Sequence, residues 1–282
     1  MGYQKSREVS RIYLENVSLP NHAESYTVIP HSFVIDQVTE NLTNSGYKIQ
    51  KELYKCNQGG NVAQGIYHLS PVNYTPDIQD PDIGMMFAWT NSYDKSIRFQ
   101  CSVGAYVFVC DNGVVCGEIN FARKHTGTAD LDIISQIESQ ILGSANTFKN
   151  IINDKNALKN ITLSRKEQAQ LIGRLYYEKD ILEPSQLSMI KGEMEKSSFN
   201  YNVSNDNAWA LYNHVTLALK KTHPRNWLYN SKEFHKFMTA EFLSNSNINT
   251  KDTYDIINVN DIDIDSNRLN LDSIIENSTF EL

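Results

Sequence analysis

Hydrophobic and polar positions change from a helical to a β-strand spacing near residue 46. Before that point, apolar residues recur at helical spacing at Phe33, Val34, Val38 and Leu42. Ser32 suits the N-cap of this helix because its hydroxyl can accept a hydrogen bond from the first turn. Gly46 suits the residue after its end because glycine tolerates a left-handed backbone. The pattern therefore predicts a helix over about residues 32–44.

The following segments alternate as β-strands do. Two of them, YKIQKELYKC and VAQGIYHLS, flank a glycine-containing turn, and further β-rich segments are MMFAWTN, SIRFQCSV, AYVFVC and VVCGEINF. The strongest turn signal is Asn112-Gly113, between the last two segments, because this pair readily adopts the positive φ angles of a type I′ turn. We therefore predict a hairpin that turns at these two residues, and a three-residue loop is the alternative.

From Asp130 onward the spacing is helical again. The sequence Ser164-Arg165-Lys166-Glu167 forms a capping box, which predicts a helix to about Lys179. Further helices are expected near Pro184, from about Asn205 to Thr222, and near Ser231 to Leu243.

These elements predict an α+β fold, with an antiparallel β-sheet and packed helices in the first half of the chain and a helical second half. The predicted organisation is an α+β domain over residues 1–155, a helical region over 156–245 and an acidic C-terminal segment over 246–282.

Composition indicates an ordinary globular protein. Of 282 residues, 40% are hydrophobic and 21% are charged, and this length can bury a large core without disulfides or a structural metal. No run approaches the roughly 18 apolar residues that a membrane helix requires. The N-terminus has no apolar signal-peptide core. We therefore expect a cytoplasmic protein with no membrane partner.

The four cysteines form no CxxC pair, so we expect reduced thiols that pack as small core residues. A structural zinc site would have to draw on Cys101, Cys110, Cys116 and His125, and it would depend on Cys110 and Cys116 lying on one face. A two-residue hairpin turn places these thiols on opposite faces of the sheet, whereas a three-residue loop places them on the same face. The spacing favours no metal site.

Catalytic signatures are absent from the sequence. It contains no G-x-S-x-G elbow, P-loop, H-E-x-x-H helix or zinc-deaminase motif. The pairs Asp80/Asp82 and Asp130/Asp132 are expected to be solvated loop and helix-start acids rather than ligands of a two-metal nuclease. We expect no cofactor and favour a non-enzymatic protein.

Charge is distributed unevenly along the chain, whose formal net charge is −7. Residues 121–236 carry sixteen Lys or Arg against twelve Asp or Glu, whereas residues 237–282 carry two against nine. The basic part interleaves cations with aromatic residues, as single-strand-binding proteins do. The candidate nucleic-acid-binding residues are Arg123, Lys124, Lys220, Lys221, Arg225 and Trp227. Trp209 and Tyr212 recur at helical spacing with Thr216 and Leu219, which favours a core position for both.

Several segments, taken in order, resemble a known family. They are SYTVIPHSFVIDQVTENLTNSGYKI, AWTNSYDKSIRFQCSVGAYVFVCDNGVV, the RKHTG that follows, and NAWALYNHVTLALKKTHPRNW. Over roughly residues 25–240 the chain resembles phage- and plasmid-borne proteins that are filed as a domain of unknown function. It departs from them in having Tyr93-Asp94-Lys95 where Asp-Gly usually follows Asn-Ser. The resemblance implies carriage by a mobile element and a role in DNA metabolism or host takeover, and it assigns no catalytic residue.

We therefore expect a phage- or plasmid-encoded protein that binds single-stranded DNA in mobile-element DNA metabolism or recombination, in the cytoplasm of the host cell. Analogy with single-strand-annealing proteins suggests a homo-oligomer. The acidic C-terminal segment is expected either to compete with nucleic acid for the basic residues or to be a solvated acidic surface. The alternative function is a protein-interaction module that inhibits or redirects a host factor, for which the overall negative charge suffices.

Overall fold

The computed structural model describes residues 6–20, 28–72, 78–115, 120–121 and 129–243. Five parts of the sequence-based predictions lie outside the described residues: Arg123, Lys124, Cys116, His125 and the acidic segment 246–282.

Seven β-strands lie within the described residues, in one antiparallel sheet. They are β1 (Arg7–Val9), β2 (Tyr47–Cys56), β3 (Val62–Pro71), β4 (Ile83–Ser92), β5 (Gln100–Val107), β6 (Asn112–Val115) and β7 (Asn120–Phe121). The strand order is β1-β2-β3-β4-β5-β6, and β7 pairs with β5. The antiparallel sheet predicted for the first half of the chain is therefore confirmed.

The described residues form eight helices. They are α1 (Arg11–Glu15), α2 (His31–Asn44), α3 (Ala129–Leu142), α4 (Ser144–Leu158), α5 (Arg165–Tyr177), α6 (Pro184–Glu195), α7 (Ala208–Leu219) and α8 (Pro224–Phe242). The first two lie in the first half, and the others make up most of the described chain from residue 129 onward. This arrangement confirms the predicted α+β class. None of the described helices combines the length and the apolar character that a membrane span requires.

Local sequence signals located most helix ends. The helix predicted over 32–44 is α2, but the predicted N-cap is wrong: Pro30 holds that position, and Ser32 lies within the first turn. The predicted capping box is present, with Ser164 and Glu167 each accepting a hydrogen bond from the other's main-chain N–H. Helix α8 also differs, because it begins at Pro224 instead of Ser231. Proline suits the first position of a helix, where its missing N–H leaves no hydrogen bond unmade.

The two faces of the sheet belong to different hydrophobic clusters. Met85, Phe87 and Trp89 lie in the main core, on the face that contacts α2, α3 and α4. Alternate residues on a strand point to opposite faces. Met86 accordingly lies in a smaller cluster with Trp227 of α8, and α8 contacts β3, β4 and β6.

The predicted hairpin is present, but the predicted position of its turn is wrong. Val107 pairs with Asn112, and Tyr106 pairs with Gly113, so residues 108–111 form the turn and both Asn112 and Gly113 lie in β6. Packing explains the glycine, since a Cβ at Gly113 would lie 2.7 Å from the Trp227 ring. The positive φ angle falls instead on Asp111, at 54°, and aspartate tolerates this conformation better than most residues.

Two segments that carried the family resemblance meet in the core. The His31 ring lies with Nε2 3.0 Å from the Gly60 carbonyl and Nδ1 3.1 Å from the side-chain amide nitrogen of Asn91. A carbonyl can only accept and an amide nitrogen donates, so both contacts fit one neutral tautomer with the proton on Nε2. Tyr93 stacks on the same ring at a centroid distance of 3.9 Å and an interplanar angle of 10°. Tyr93, which follows directly after Asn91-Ser92, therefore packs against His31.

Candidate functional site

A cavity of about 240 Å³ lies on the face of the sheet that α8 partly covers. Its charged lining residues are Lys51 and Lys55 of β2, Lys220 directly after α7, Asp111 of the hairpin turn, and Glu8 of β1. We call this site the lysine cavity. Strand alternation places both β2 lysines on this face because they are four residues apart. Three ammonium groups thus face two carboxylates.

The three lysines join distant parts of the chain around the cavity. Lys51 Nζ donates to Asp111 Oδ2 at 2.7 Å, which links β2 to the turn after β5. Lys55 Nζ donates to the main-chain carbonyl of Lys220 at 3.3 Å, and Lys220 Nζ donates to the carbonyl of Cys110 at 2.5 Å. A lysine ammonium carries three donors. Each of these bonds uses one of them, so the cluster has the capacity to bind an additional acceptor.

Burial makes two of the cavity lysines, Lys55 and Lys220, easier to deprotonate than surface lysines. It lowers the pKa of Lys55, and the nearby positive charges of Lys220 and Lys221 lower it further, against the opposing effect of Glu8. Burial also lowers the pKa of Lys220, while Asp111 and Glu8 oppose the shift. An anion bound between these lysines would relieve both the desolvation and the mutual repulsion. The electrostatics therefore favour an anionic ligand.

His68 lines the lysine cavity with a neutral ring, one nitrogen of which has no hydrogen-bond partner within the described residues. The residue is 3% exposed, and its ring stacks on Tyr106 at a centroid distance of 3.7 Å. Burial lowers the pKa of His68 to about 4, although Asp111, 4.0 Å from Nδ1, opposes the shift. Within the described residues Nε2 has no hydrogen-bond partner. An unpaired buried polar atom costs about 1–3 kcal/mol, which a hydrogen-bonding ligand would recover.

The structure brings two of the sequence-predicted residues into this site. Lys220 and Trp227 both line the lysine cavity, and Trp227 is only 4% exposed. Lys221 is exposed next to them. The Arg225 guanidinium lies 3.6 Å from an Asp94 carboxylate oxygen at the surface. The core position favoured for Trp209 and Tyr212 is confirmed, because each is 1% exposed.

Sequence reasoning missed the contribution of β2 and β3 to the site. Lys51 and Lys55 were not singled out, although their spacing around Leu53 places them on one strand face. The sheet register then pairs Lys51 with His68. The alternation was a usable signal for the two lysines, but the partner strand could not be read from it.

Asp80 and Asp82 are not the solvated loop acids that the sequence predicted. The Lys155 ammonium lies 2.7 Å from an Asp80 carboxylate oxygen and 2.9 Å from an Asp82 oxygen, and these three side chains are 2%, 4% and 12% exposed. Lys159 also contacts Asp82, at 2.6 Å. The two aspartates therefore anchor the segment before β4 to α4 through a buried ion-pair cluster.

The described cysteines Cys56, Cys101 and Cys110 are free thiols in buried positions. Burial raises the pKa of Cys110 to about 11 and raises that of Cys101 further. Thiolates rather than thiols bind metals and attack electrophiles, so both groups are unreactive at neutral pH. In the part of the chain that the structure describes, no three His, Cys, Asp or Glu residues are grouped to hold a metal ion.

Comparison with known proteins places the chain in a family of unknown function. No solved structure matches the chain. The family model described as Domain of unknown function (DUF932) matches residues 19–253, which include every described strand from β2 onward and every described helix from α2 onward. The chain therefore belongs to the DUF932 family, a domain of unknown function.

Proposed function

We propose that this protein binds single-stranded DNA and that the lysine cavity holds the phosphate backbone. The observation that carries the proposal is the convergence of Lys51, Lys55 and Lys220 on one cavity of the sheet face. Cations that neutralise phosphates supply most of the affinity of nucleic-acid-binding proteins. Sheet faces that combine such cations with aromatic side chains are a recurrent platform for single strands.

The size of the cavity favours an unpaired strand over a duplex. Its volume is about 240 Å³, and the hairpin turn and α8 bound it on two sides. A duplex is stiff over this length, so it presents a phosphate to a recess only where its full width clears the walls on both sides. A single strand rotates freely about its backbone bonds and can place one phosphate there while the neighbouring nucleotides lie outside.

The proposed setting is the DNA metabolism or recombination of a phage or plasmid, in the cytoplasm of the host cell. The resemblance of the quoted segments to phage- and plasmid-borne proteins supports this setting. Assembly of several copies along one strand is part of the proposal, and light scattering of the protein with and without oligonucleotide measures it.

Fluorescence anisotropy with labelled single- and double-stranded oligonucleotides across a salt series tests the proposal. We expect binding that prefers single strands and weakens steeply with salt. Lys55→Gln should reduce the slope of log K against log salt by about 0.7, the value for one single-strand phosphate contact. The matched control is Lys191→Gln, an exposed lysine on α6. Absence of binding at low salt, or equal slopes for both variants, would contradict the proposal.

A second candidate function rests on a different surface. A cleft of about 590 Å³ between α5 and the end of α8 is lined by Leu171, Tyr177 and Phe242, and Tyr177 is 85% exposed. An exposed apolar cleft is typical of protein-interaction sites. This surface favours a module that inhibits or redirects a host factor. That function predicts a host protein whose binding is lost on Tyr177→Asp and unaffected by Lys55→Gln.

A further inference from the structure

The turn between β5 and β6 presents two apolar side chains to solvent. Phe108 is 46% exposed and its neighbour Val109 is 49% exposed. A phenylalanine in a tight turn would ordinarily pack against the sheet, since exposing an aromatic face forgoes hydrophobic stabilisation. Phe108 lies in the turn that also supplies Asp111 to the lysine cavity. Its exposed ring is therefore available to stack on a planar ligand.

The turn is held in place by the cavity lysines. Lys51 binds the carboxylate of Asp111, and Lys220 binds the carbonyl of Cys110, so both sides of the cavity fix the residues that follow Phe108. The Phe108 main-chain N–H donates to the Asp82 carbonyl at 2.9 Å. A fixed aromatic loses less conformational entropy on binding than one on a free loop.

A row of rings connects Phe108 to the buried end of the site. The Phe108 and Tyr106 rings meet edge to face at a centroid distance of 5.3 Å, and Tyr106 stacks on His68 at 3.7 Å. The row passes over Gly84, where a Cβ would lie 2.6 Å from the Tyr106 ring and 2.8 Å from the Phe108 ring. Glycine at this position is therefore what allows both rings to pack directly against the β4 backbone.

We infer that Phe108 is a stacking platform for an unpaired nucleobase whose adjacent phosphate lies at Lys51 and Lys220. The inference rests on the proposed function. It adds a contact with a base to the contacts that the lysines make with the backbone. Every base offers a π-face, so stacking on Phe108 tolerates sequence while it selects unpaired over paired bases. Charge complementarity supports this occupant: the aromatic row ends at His68 in the lysine cavity, where the lysines match the phosphate that each nucleotide carries.

Two oligonucleotides of equal length and charge separate stacking from charge neutralisation. One is oligo(dT), and the other has abasic sites throughout. Wild-type protein should bind oligo(dT) more tightly, and Phe108→Ala should weaken that binding by about 5- to 100-fold, the range for loss of one stacked base. Binding of the abasic strand and both salt slopes should stay at their wild-type values.

Two further variants control for altered folding and for loss of any exposed aromatic ring. Phe108→Tyr keeps a six-membered ring and should retain the preference for oligo(dT). Tyr229→Ala removes an aromatic side chain that is 55% exposed on α8 and should leave both affinities unchanged. If Phe108→Ala keeps the wild-type preference while salt-dependent binding persists, the stacking role is wrong and the proposed function survives. If wild-type protein binds neither strand at low salt, the proposed function itself fails.

Discussion

The side-chain amide nitrogen of Asn112 donates a hydrogen bond of 3.0 Å to the main-chain carbonyl of Asn213, 101 residues further along the chain. Both residues are fully buried. The Asn213 side chain in turn donates to the Trp209 carbonyl at 2.8 Å, within the same helix. The bond therefore ties β6 to α7 and joins two of the segments that carried the family resemblance.

Replacing this asparagine tests how much the buried contact stabilises the fold. Asn112→Ala should lower the free energy of unfolding by about 1–3 kcal/mol, because it removes the hydrogen bond and part of the buried packing. Urea denaturation measures the change. Asn146→Ala, at an exposed position of α4, should change stability by no more than about 0.5 kcal/mol. Equal effects of the two substitutions would mean that the contact contributes nothing measurable.

Gly113→Ala distinguishes a packing role of this glycine from a turn role. The added methyl group would lie 2.7 Å from the Trp227 ring, and overpacking of this kind costs about 1–3 kcal/mol. Trp227→Phe should reduce that cost, which a double-mutant cycle measures. Gly192→Ala, where no atom lies within 4 Å, should instead stabilise α6 slightly, because alanine favours helix more than glycine does. A cost for Gly113→Ala that is independent of residue 227 would contradict the packing role.

Features of the fold that depend on neighbouring residues were predictable from the sequence. The α2 helix and the capping box at Ser164 and Glu167 follow from periodicity and from contacts within one helical turn. The hairpin turn was misplaced because the reasons for Asn112 and Gly113 lie in α7 and α8, which no local pattern reveals. Asn112 and Gly113, a pair that usually marks a turn, instead make a hydrogen bond to the Asn213 carbonyl and leave room for the Trp227 ring.

The candidate site, too, could be predicted from the sequence only where its residues are close together in the chain. Lys220 and Trp227 stood out because basic and aromatic residues are interleaved within one short stretch. Lys51 and His68 did not, since their meeting depends on the register of β2 against β3 and on the place of Asp111, in the hairpin turn, next to both. Sequence reasoning therefore found the helical side of the lysine cavity and missed the sheet that forms its floor.

His31 should make the stability of the protein depend on pH between about 4 and 6.5. Burial lowers the pKa of His31 to about 4, so in this range the unfolded chain binds a proton that the folded protein does not. The free energy of unfolding is then highest above pH 6.5 and falls as the pH drops, by roughly 2 kcal/mol from this residue between pH 7 and 5. Urea titrations of wild-type protein and His31→Gln measure the slopes. The slope of the unfolding free energy against pH should be shallower for His31→Gln than for wild-type protein. Identical slopes would contradict the prediction.

Lys155 should be essential to stability because it neutralises two buried carboxylates. Lys155→Met would leave Asp80 and Asp82 with Lys159 as the described cation within reach, and removing one partner of a buried pair costs about 3–5 kcal/mol. Burial alone would raise the pKa of Asp82, but the hydrogen bonds from Lys155 and Lys159 lower it. In wild-type protein the ion pairs therefore stabilise above the unfolded pKa and are lost as the pH falls through the folded value. In the variant the unpaired carboxylates destabilise most at neutral pH.

Denaturation at pH 7 and near pH 4 should therefore show a smaller effect of Lys155→Met in acid. Asp80→Asn in the same background should restore part of the stability at pH 7, since it removes one unpaired charge. A variant that loses equal stability at both pH values would show that packing of the lysine side chain, rather than charge, accounts for its role.

The lowered pKa of Lys55 should make DNA binding sensitive to alkaline pH. Burial lowers this pKa, and the positive charges of Lys220 and Lys221 lower it further, while Glu8 opposes them. Lys55 should therefore lose its proton below the ordinary lysine value of about 10.4, and affinity for the phosphate backbone should fall as the pH rises toward that value. Anisotropy with oligo(dA) measures this, because adenine does not titrate in that range.

Lys55→Arg isolates the contribution of this one group. Guanidinium stays charged throughout the range, so the variant should hold its affinity to a higher pH than wild-type protein. Lys220 lies in the same cavity, and burial lowers its pKa too, so some loss should persist until Lys220→Arg is added. Lys191→Arg, at an exposed position of α6, should follow the wild-type curve. If Lys55→Arg follows that curve as well, Lys55 does not contact the bound strand as an ammonium ion, and the pH dependence must come from another group.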